Sequence, residues 1–266
     1  MSTMDIATYQ EIYRSVDKID DIDWISQRFC QPVGVISSIL NQKVVNNVKR
    51  NIHPIQNNGR KHLHQWERGV SILELAQQCN IPATLMTSVL IKEMGLSKRY
   101  VLKHLDDIPD RRLAAEVRAA LDIDHFFSPK AHDLQTRQGQ MGEMIIEKWL
   151  VDKHIPHLTE EQLRGMDVLK TPDFLLDKTL VVDGMPLQWI ESKAVFADEQ
   201  EHDRYCRKQL LDYEEHYGNG MVIYWYGHID SLAMEGTLIR DHGFDIEFDY
   251  EIARDIVELL NFSLKW

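Results

Sequence analysis

Two adjacent residues constrain this chain more than any others. Asp183-Gly184 is its strongest turn signal, because an Asp-Gly pair tolerates the positive φ angles of a tight hairpin. Apolar runs lie on both sides. Phe174-Leu175-Leu176 and Leu180-Val181-Val182 precede the turn, and Pro186 to Val195 follows it. The spacing predicts a β-meander entered by Thr171-Pro172-Asp173. In its last strand Trp189, Glu191 and Lys193 alternate onto one face, and Ile190, Ser192 and Ala194 onto the other. Charges are costly to bury without partners, so a Glu-Lys pair on the strand surface is the simplest placement.

The segments around this hairpin complete a pattern. Residues 139–153 read as a helix with Met141, Met144, Ile145 and Trp149 on its apolar face and Glu143 off it. A second helix follows the hairpin, with Gln209 and Tyr213 at i, i+4 on one face. After Gly218-Asn219-Gly220, Met221 to Ile229 reads as a buried strand. Helix, strands, helix, strand make an α/β core with a mixed sheet at the C-terminus, residues 135–266.

Residues 1–134 read as an all-α region instead. Ile72, Leu75 and Ala76 recur at helical spacing, Cys79-Asn80-Ile81-Pro82 interrupts, and Leu85, Met86, Val89 and Leu90 resume. This is the layout of a helix-turn-helix, with Pro82 near the first turn of the second helix. Trp24, Ile25 and Phe29, then Cys30-Gln31-Pro32, then Val35, Ile36, Ile39 and Leu40 repeat that layout. Cys30 and Cys79 stand at helix ends and read as small buried residues. A third helical stretch is expected from about Arg99 to Leu121.

Charge separates the halves further. The 266 residues hold 30 Lys and Arg against 42 Asp and Glu, a net of -12. Residues 1–138 hold 18 basic and 16 acidic side chains, whereas residues 139–266 hold 12 and 26. A passive polycation that coats nucleic acid is therefore excluded. One stretch is basic: Lys43, Lys49, Arg50, Arg60, Lys61 and Arg68 oppose only Glu67. Those six are the candidate contacts to a phosphate backbone, on what reads as a solvated basic arm. No run of 18 apolar residues exists, so no membrane span is expected. Met1 to Tyr9 carries no secretory pattern, and three cysteines without a CxxC fit a reducing, intracellular setting. Glycine-rich nucleotide loops and HExxH are absent from the sequence.

Glu143, then Pro172-Asp173, then Glu191-x-Lys193, then Gln209-x-x-x-Tyr213, in that order, resembles the PD-(D/E)xK, or restriction-endonuclease-like, nucleases. The strings KTPDF at Lys170–Phe174, WIESKA at Trp189–Ala194 and VIYWYG at Val222–Gly227 resemble the TPD-motif family among them. The likeness covers roughly residues 139–230 by motif, and the helical half by layout. It implies a restriction-endonuclease-like fold and a metal-dependent nuclease that hydrolyses phosphodiester bonds, with DNA favoured. The Gln-x-x-x-Tyr motif leans toward end- or structure-dependent cleavage. The resemblance further implies Mg²⁺ or Mn²⁺ held by Asp173, Glu191 and the Ser192 carbonyl, with Glu143 acting through water. Lys193 would orient the attacking water and offset transition-state charge, while Gln209 and Tyr213 would position the strand or the lysine. Eukaryotic members are described as binding codanin, so a eukaryotic source implies that partner and a nuclear and cytoplasmic location. An archaeal source implies the cytoplasm alone. The rival expectation is a nuclease-fold scaffold that binds protein with little or no catalysis.

Overall fold

Capping residues set the helix ends of the first half. The structure, a computed structural model, describes residues 3–262 except 167, 169 and 246. Its first helices are α1 (Ile6–Ser15), α2 (Asp21–Phe29), α3 (Val33–Asn57), α4 (Gly59–Glu67), α5 (Ile72–Cys79), α6 (Ala83–Glu93), α7 (Lys98–Lys103) and α8 (Arg111–Ile123). Ser71 starts α5 through a reciprocal capping box with Glu74. Asn80 ends it in the left-handed region at φ 50, and Pro82 then sits at the N-cap of α6. The expected helix-turn-helix is thus α5 and α6. The buried Asp124 carboxylate also accepts the Thr84 N–H at 3.1 Å, satisfying a donor that the proline cap leaves open.

Residues 40–135 form one unit. Its core contains Ile72, Leu75, Met86, Leu90, Val101 and Val117. Each fully buried side chain of this size contributes about 1.5–3 kcal/mol. The third helical stretch is divided: α7 ends at Lys103, a 3₁₀ turn covers Leu105–Asp107, and α8 starts only at Arg111, capped by Asp110. Pro109 disfavours helix at the residue before it, which separates the two. The basic stretch is no arm. It is folded into α3 and α4, with Pro54 inside α3.

The second unit joins the residues up to 39 with those from 136 onward. The expectation of a wholly helical region 1–134 therefore differs from the contacts, which place the first 39 residues with the sheet. Its strands are β1 (Thr3–Met4), β2 (His157–Thr159), β3 (Phe174–Val182), β4 (Met185–Lys193), β5 (Gly220–Tyr224), β6 (His228–Ile229) and β7 (Thr237–Arg240). Its further helices are α9 (Pro129–Asp152), α10 (Glu160–Gly165), α11 (Glu199–Tyr205), α12 (Leu211–Tyr217) and α13 (Tyr250–Leu260). β1 pairs with β6. The Tyr9 hydroxyl donates to Asp198 at 2.6 Å, its ring stacks on Phe196 at 5.4 Å, and Ser38 Oγ accepts the Phe196 N–H at 2.8 Å. These long-range pairings bind the N-terminal residues to the sheet unit. Cys30 ends α2 at φ 51 and is exposed, contrary to the expected burial, because the left-handed cap turns it outward; Cys79 is half-buried.

The sheet is mixed, in the order β2-β3-β4-β5-β7. Asp183 and Gly184 both have positive φ, 48 and 81, as a two-residue hairpin requires, and β3 and β4 are antiparallel. The runs 174–176 and 180–182 are one strand, not two, with a register shift between Leu175 and Leu180. The chain then passes through α11, a π-helical turn at Cys206–Leu210 and α12, and so returns as the parallel strand β5. β5 stops at Tyr224, short of the expected Ile229, because residues 225 and 226 turn and Gly227 takes φ 89. Gly220 faces Trp189 in register, and a Cβ there would lie 1.9 Å from the indole. Trp189, Tyr213, Val222 and Tyr224 fill one core, while Ile190, Met221 and Ile223 on the alternate face are also buried. In the second half of α9 the large buried side chains are Ile145, Ile146, Trp149 and Leu150; Met144 is 39% exposed, one position off the buried face. α13 buries Ile252, Ile256, Leu259 and Leu260. Among the described residues no helix is long and apolar enough to cross a membrane.

Candidate active site

Register brings the two central carboxylates together. Phe174 opposes Ile190 in the antiparallel pair, so Asp173, one residue earlier, falls beside Glu191. Two hydrogen bonds fix the arrangement. The Asp173 N–H donates to Glu191 Oε2 at 3.1 Å, and the Ser192 N–H donates to Asp173 Oδ2 at 2.7 Å. Lys193 follows Glu191 on the same strand face, and its ammonium donates to Glu191 Oε1. The pair is not at the surface as expected of a strand-edge ion pair. Glu191 is 1% exposed and the Lys193 side chain 14%, because both faces of β4 are covered.

Burial therefore controls the electrostatics. It pushes the Glu191 carboxyl up to about 7, the Asp173 charge adds to the rise, and Lys193 opposes it. Asp173 is likewise raised by burial, against the pull of Lys193 and the Ser192 N–H. For Lys193, burial works to lower the pKa, but Glu191 and Asp173 outweigh it and the net shift is upward. Glu143 projects from α9 near this group. Loss of solvation, then Asp173 and Glu160, raise its carboxyl to about 6. Negative charge exceeds what one lysine offsets.

That excess is the test of fit for a cation. Among the described residues no three His, Cys, Asp or Glu side chains converge as a metal cage. The donors at hand are hard oxygens on Asp173 and Glu191, with the Ser192 carbonyl beside them. This suits Mg²⁺ or Mn²⁺, which bind through one or two carboxylates and retain water.

The helical motif sits differently from the simple i, i+4 picture. Gln209 lies in the π-helical turn and Tyr213 in α12. The Tyr213 hydroxyl donates to the Thr171 carbonyl at 3.2 Å, and Tyr217 donates to the Lys170 carbonyl at 2.5 Å. Lys170 is also paired with Asp212. α12 thus holds the loop that delivers Asp173.

Several neighbours were not singled out from the sequence. Glu160 raises the pKa of Glu143 and Asp173, and its own N–H donates to the Asp173 carbonyl at 3.0 Å. The only local signal was the capping box Thr159-x-x-Gln162 that starts its helix. Trp225 donates to Ser192 Oγ at 2.8 Å, directly over Gly142, where a Cβ would lie 2.3 Å from the indole nitrogen. The Tyr205 ring lies 5.2 Å from Lys193 Nζ. The six basic candidates belong to the unit of residues 40–135. Lys43, Lys49 and Arg50 are on α3, Arg60 and Lys61 on α4, and Arg68 caps α4; all but the half-buried Lys43 are exposed.

The fold and site define an α/β protein with a buried acid-acid-lysine group on a mixed sheet. Its sequence matches the family described as "Protein of unknown function TPD sequence-motif" over residues 109–243. The chain belongs to this TPD-motif family. It is 30% identical over 250 residues to the mouse (Mus musculus) protein named CDAN1-interacting nuclease 1, covering 85% of this chain and 89% of that protein. To the human (Homo sapiens) protein of the same name it is 31% identical over 228 residues, covering 78% and 81%. A mimivirus protein, Uncharacterized protein L539, is 29% identical over 110 residues, 37% of this chain and 38% of that one. No solved structure matches.

Proposed function

We propose that the chain is a metal-dependent nuclease that hydrolyses phosphodiester bonds in nucleic acid, with DNA favoured and ends or branched structures as its preferred context. The observation that carries this reading is the placement of Asp173 beside Glu191, by the Asp173 N–H to Glu191 and the Ser192 N–H to Asp173, with Lys193 on the same strand face. The names of the vertebrate relatives support it. Asp173, Glu191 and the Ser192 carbonyl would hold Mg²⁺ or Mn²⁺, with Glu143 acting through water. When bound, such an ion supplies Lewis-acid polarisation of the phosphate and a more acidic water. Lys193 keeps its proton, orients the attacking water and offsets charge on the pentavalent phosphorus. Tyr213, with Gln209, holds the loop carrying Asp173. The basic residues of α3 and α4 hold the phosphate backbone.

The test is a cleavage assay with Mg²⁺ or Mn²⁺ on single-stranded, duplex, flapped and branched DNA and on matching RNA, beside Lys193→Ala. Cleavage that disappears in the variant supports the reading and ranks the substrates. Wild-type protein that binds the metal but cuts nothing, with or without a partner, rejects it. The relatives' name also favours a second reading, in which the nuclease fold serves as a scaffold for codanin. Under that reading Glu191→Ala and Lys193→Ala leave partner capture and cellular role unchanged.

A further inference from the structure

A thiol in the sheet-bearing unit has two soft neighbours that the acidic site does not use. Cys206 opens the π-helical turn, a rare geometry that recurs at functional sites. Its Sγ lies 3.4 Å from His202 Nε2 and 3.6 Å from Met234 Sδ. His202 precedes Cys206 by four residues, on α11, while Met234 comes from the loop between β6 and β7. The imidazole is buried, 4% exposed, and its Nδ1 pairs with the Tyr224 hydroxyl at 2.8 Å. When that oxygen accepts the Nδ1 proton, Nε2 carries the lone pair and faces the sulfur.

We propose that Cys206, His202 and Met234 form a binding site for one soft monovalent cation, Cu(I). Thiolate and thioether together select such an ion over Mg²⁺ or Ca²⁺, and zinc sites take Cys, His and carboxylate in place of thioether. Both separations from Cys206 Sγ fit a shared ion. Donors held about 2.0–2.3 Å from one centre lie about 3.5–4 Å from each other. Cys206 and Met234 are half-buried, and Met234 also lines an open groove of about 510 Å³ with His228, Leu232 and Thr237. Binding replaces the Cys206 S–H bond with a sulfur–metal bond and releases the proton to solvent, with no change of oxidation state. A second thiol–imidazole contact, Cys79 with His62 at 4.0 Å, serves as internal control.

The test is an anaerobic titration of the full chain with Cu(I) against a chromophoric Cu(I) chelator. Wild type, Cys206→Ser, Met234→Leu and Cys79→Ser are compared, with thermal melts to establish that each folds. One ion per chain is expected, displaced by Ag(I) and not by Zn(II). Affinity should fall at least 100-fold in Cys206→Ser and at least tenfold in Met234→Leu, and stay unchanged in Cys79→Ser. Met234→Leu conserves volume, so it separates a thioether donor from an apolar contact. Unchanged affinity in a folded Met234→Leu or Cys206→Ser, or an equal loss in Cys79→Ser, overturns the proposal.

Discussion

Asp173 and Glu191 are locked across two antiparallel strands by the Asp173 N–H, which donates to Glu191 Oε2 at 3.1 Å. Both carboxyls are raised by burial, and each raises the site's demand for positive charge. A site of this kind stores destabilisation that a ligand relieves.

Glu191→Gln should remove that charge without changing the shape. The amide oxygen still accepts from the Asp173 N–H, but its NH2 then faces the Lys193 ammonium that donated to Oε1. Stability should fall by about 1–3 kcal/mol. Mn²⁺ binding, read by calorimetry, should be lost, and cleavage should fall at least 100-fold. A variant that binds Mn²⁺ normally would show that the ion is held elsewhere.

Gly142→Ala inserts a methyl where Trp225 crosses α9, 2.3 Å from the indole nitrogen and 2.8 Å from Ser192 Oγ. The neighbours are a buried ring and a strand residue, so relief requires the helix to move. Urea denaturation should report a loss of about 1–3 kcal/mol. Because Glu143 is the next residue on α9, cleavage should fall by more than stability alone explains.

Tyr213→Phe removes the hydroxyl that donates to the Thr171 carbonyl and keeps the ring against Trp189, 5.5 Å away. The expected cost is about 0.5–1.5 kcal/mol. Weaker metal binding with an intact fold would mark Tyr213 as a positioning residue. An unchanged metal affinity and a slower turnover would instead place its hydroxyl at the substrate.

Acid stability has a separate source. The Lys148 ammonium donates to Asp255 at 2.5 Å, tying α9 to α13. That hydrogen bond, together with the lysine charge, holds the Asp255 carboxyl below its ordinary 3.8 despite burial. A depressed carboxyl pKa stabilises the fold above the unfolded value and loses that contribution as pH falls through the folded one. Lys148→Ala should cost about 1 kcal/mol at pH 7, since the lysine is partly exposed. The difference from wild type should shrink toward zero below pH 3, as followed by denaturant melts at each pH.

Arg60→Gln with Lys61→Gln tests the basic helices. DNA binding should weaken, and the slope of log affinity against log salt should become shallower by one to two ions. Identical slopes in variant and wild type would remove α4 from the interface.

Local chemistry made much of this legible. The Asp183-Gly184 hairpin and the turn at Asn80 to Pro82 depend on residues close in sequence, and the structure carries both of them. The alternation that puts Glu191 and Lys193 on one face is also a local rule. Family resemblance pointed to Asp173 as their companion. Register alone explains why it reaches them, since Phe174 opposite Ile190 leaves no other place for it.

What the sequence did not reveal depends on contacts between distant segments. No periodicity indicates that Tyr9 meets Asp198 and Phe196, so the first 39 residues looked like part of the helical region. Glu160 is an ordinary helix-start acid until β2 and β3 pair and its N–H meets the Asp173 carbonyl. The Glu191-Lys193 pair reads as a surface feature because burial belongs to the sheet, not to the strand. β4 is central, with β3 on one edge and β5 on the other, and helices cover it. Sequence by itself determined the hairpin, the α5-α6 turn, the main helices around the sheet and the residue types suited to the chemistry. Tertiary structure decided which carboxylates share a site and how far their pKa values move, because desolvation and charge proximity exist only once the layers close.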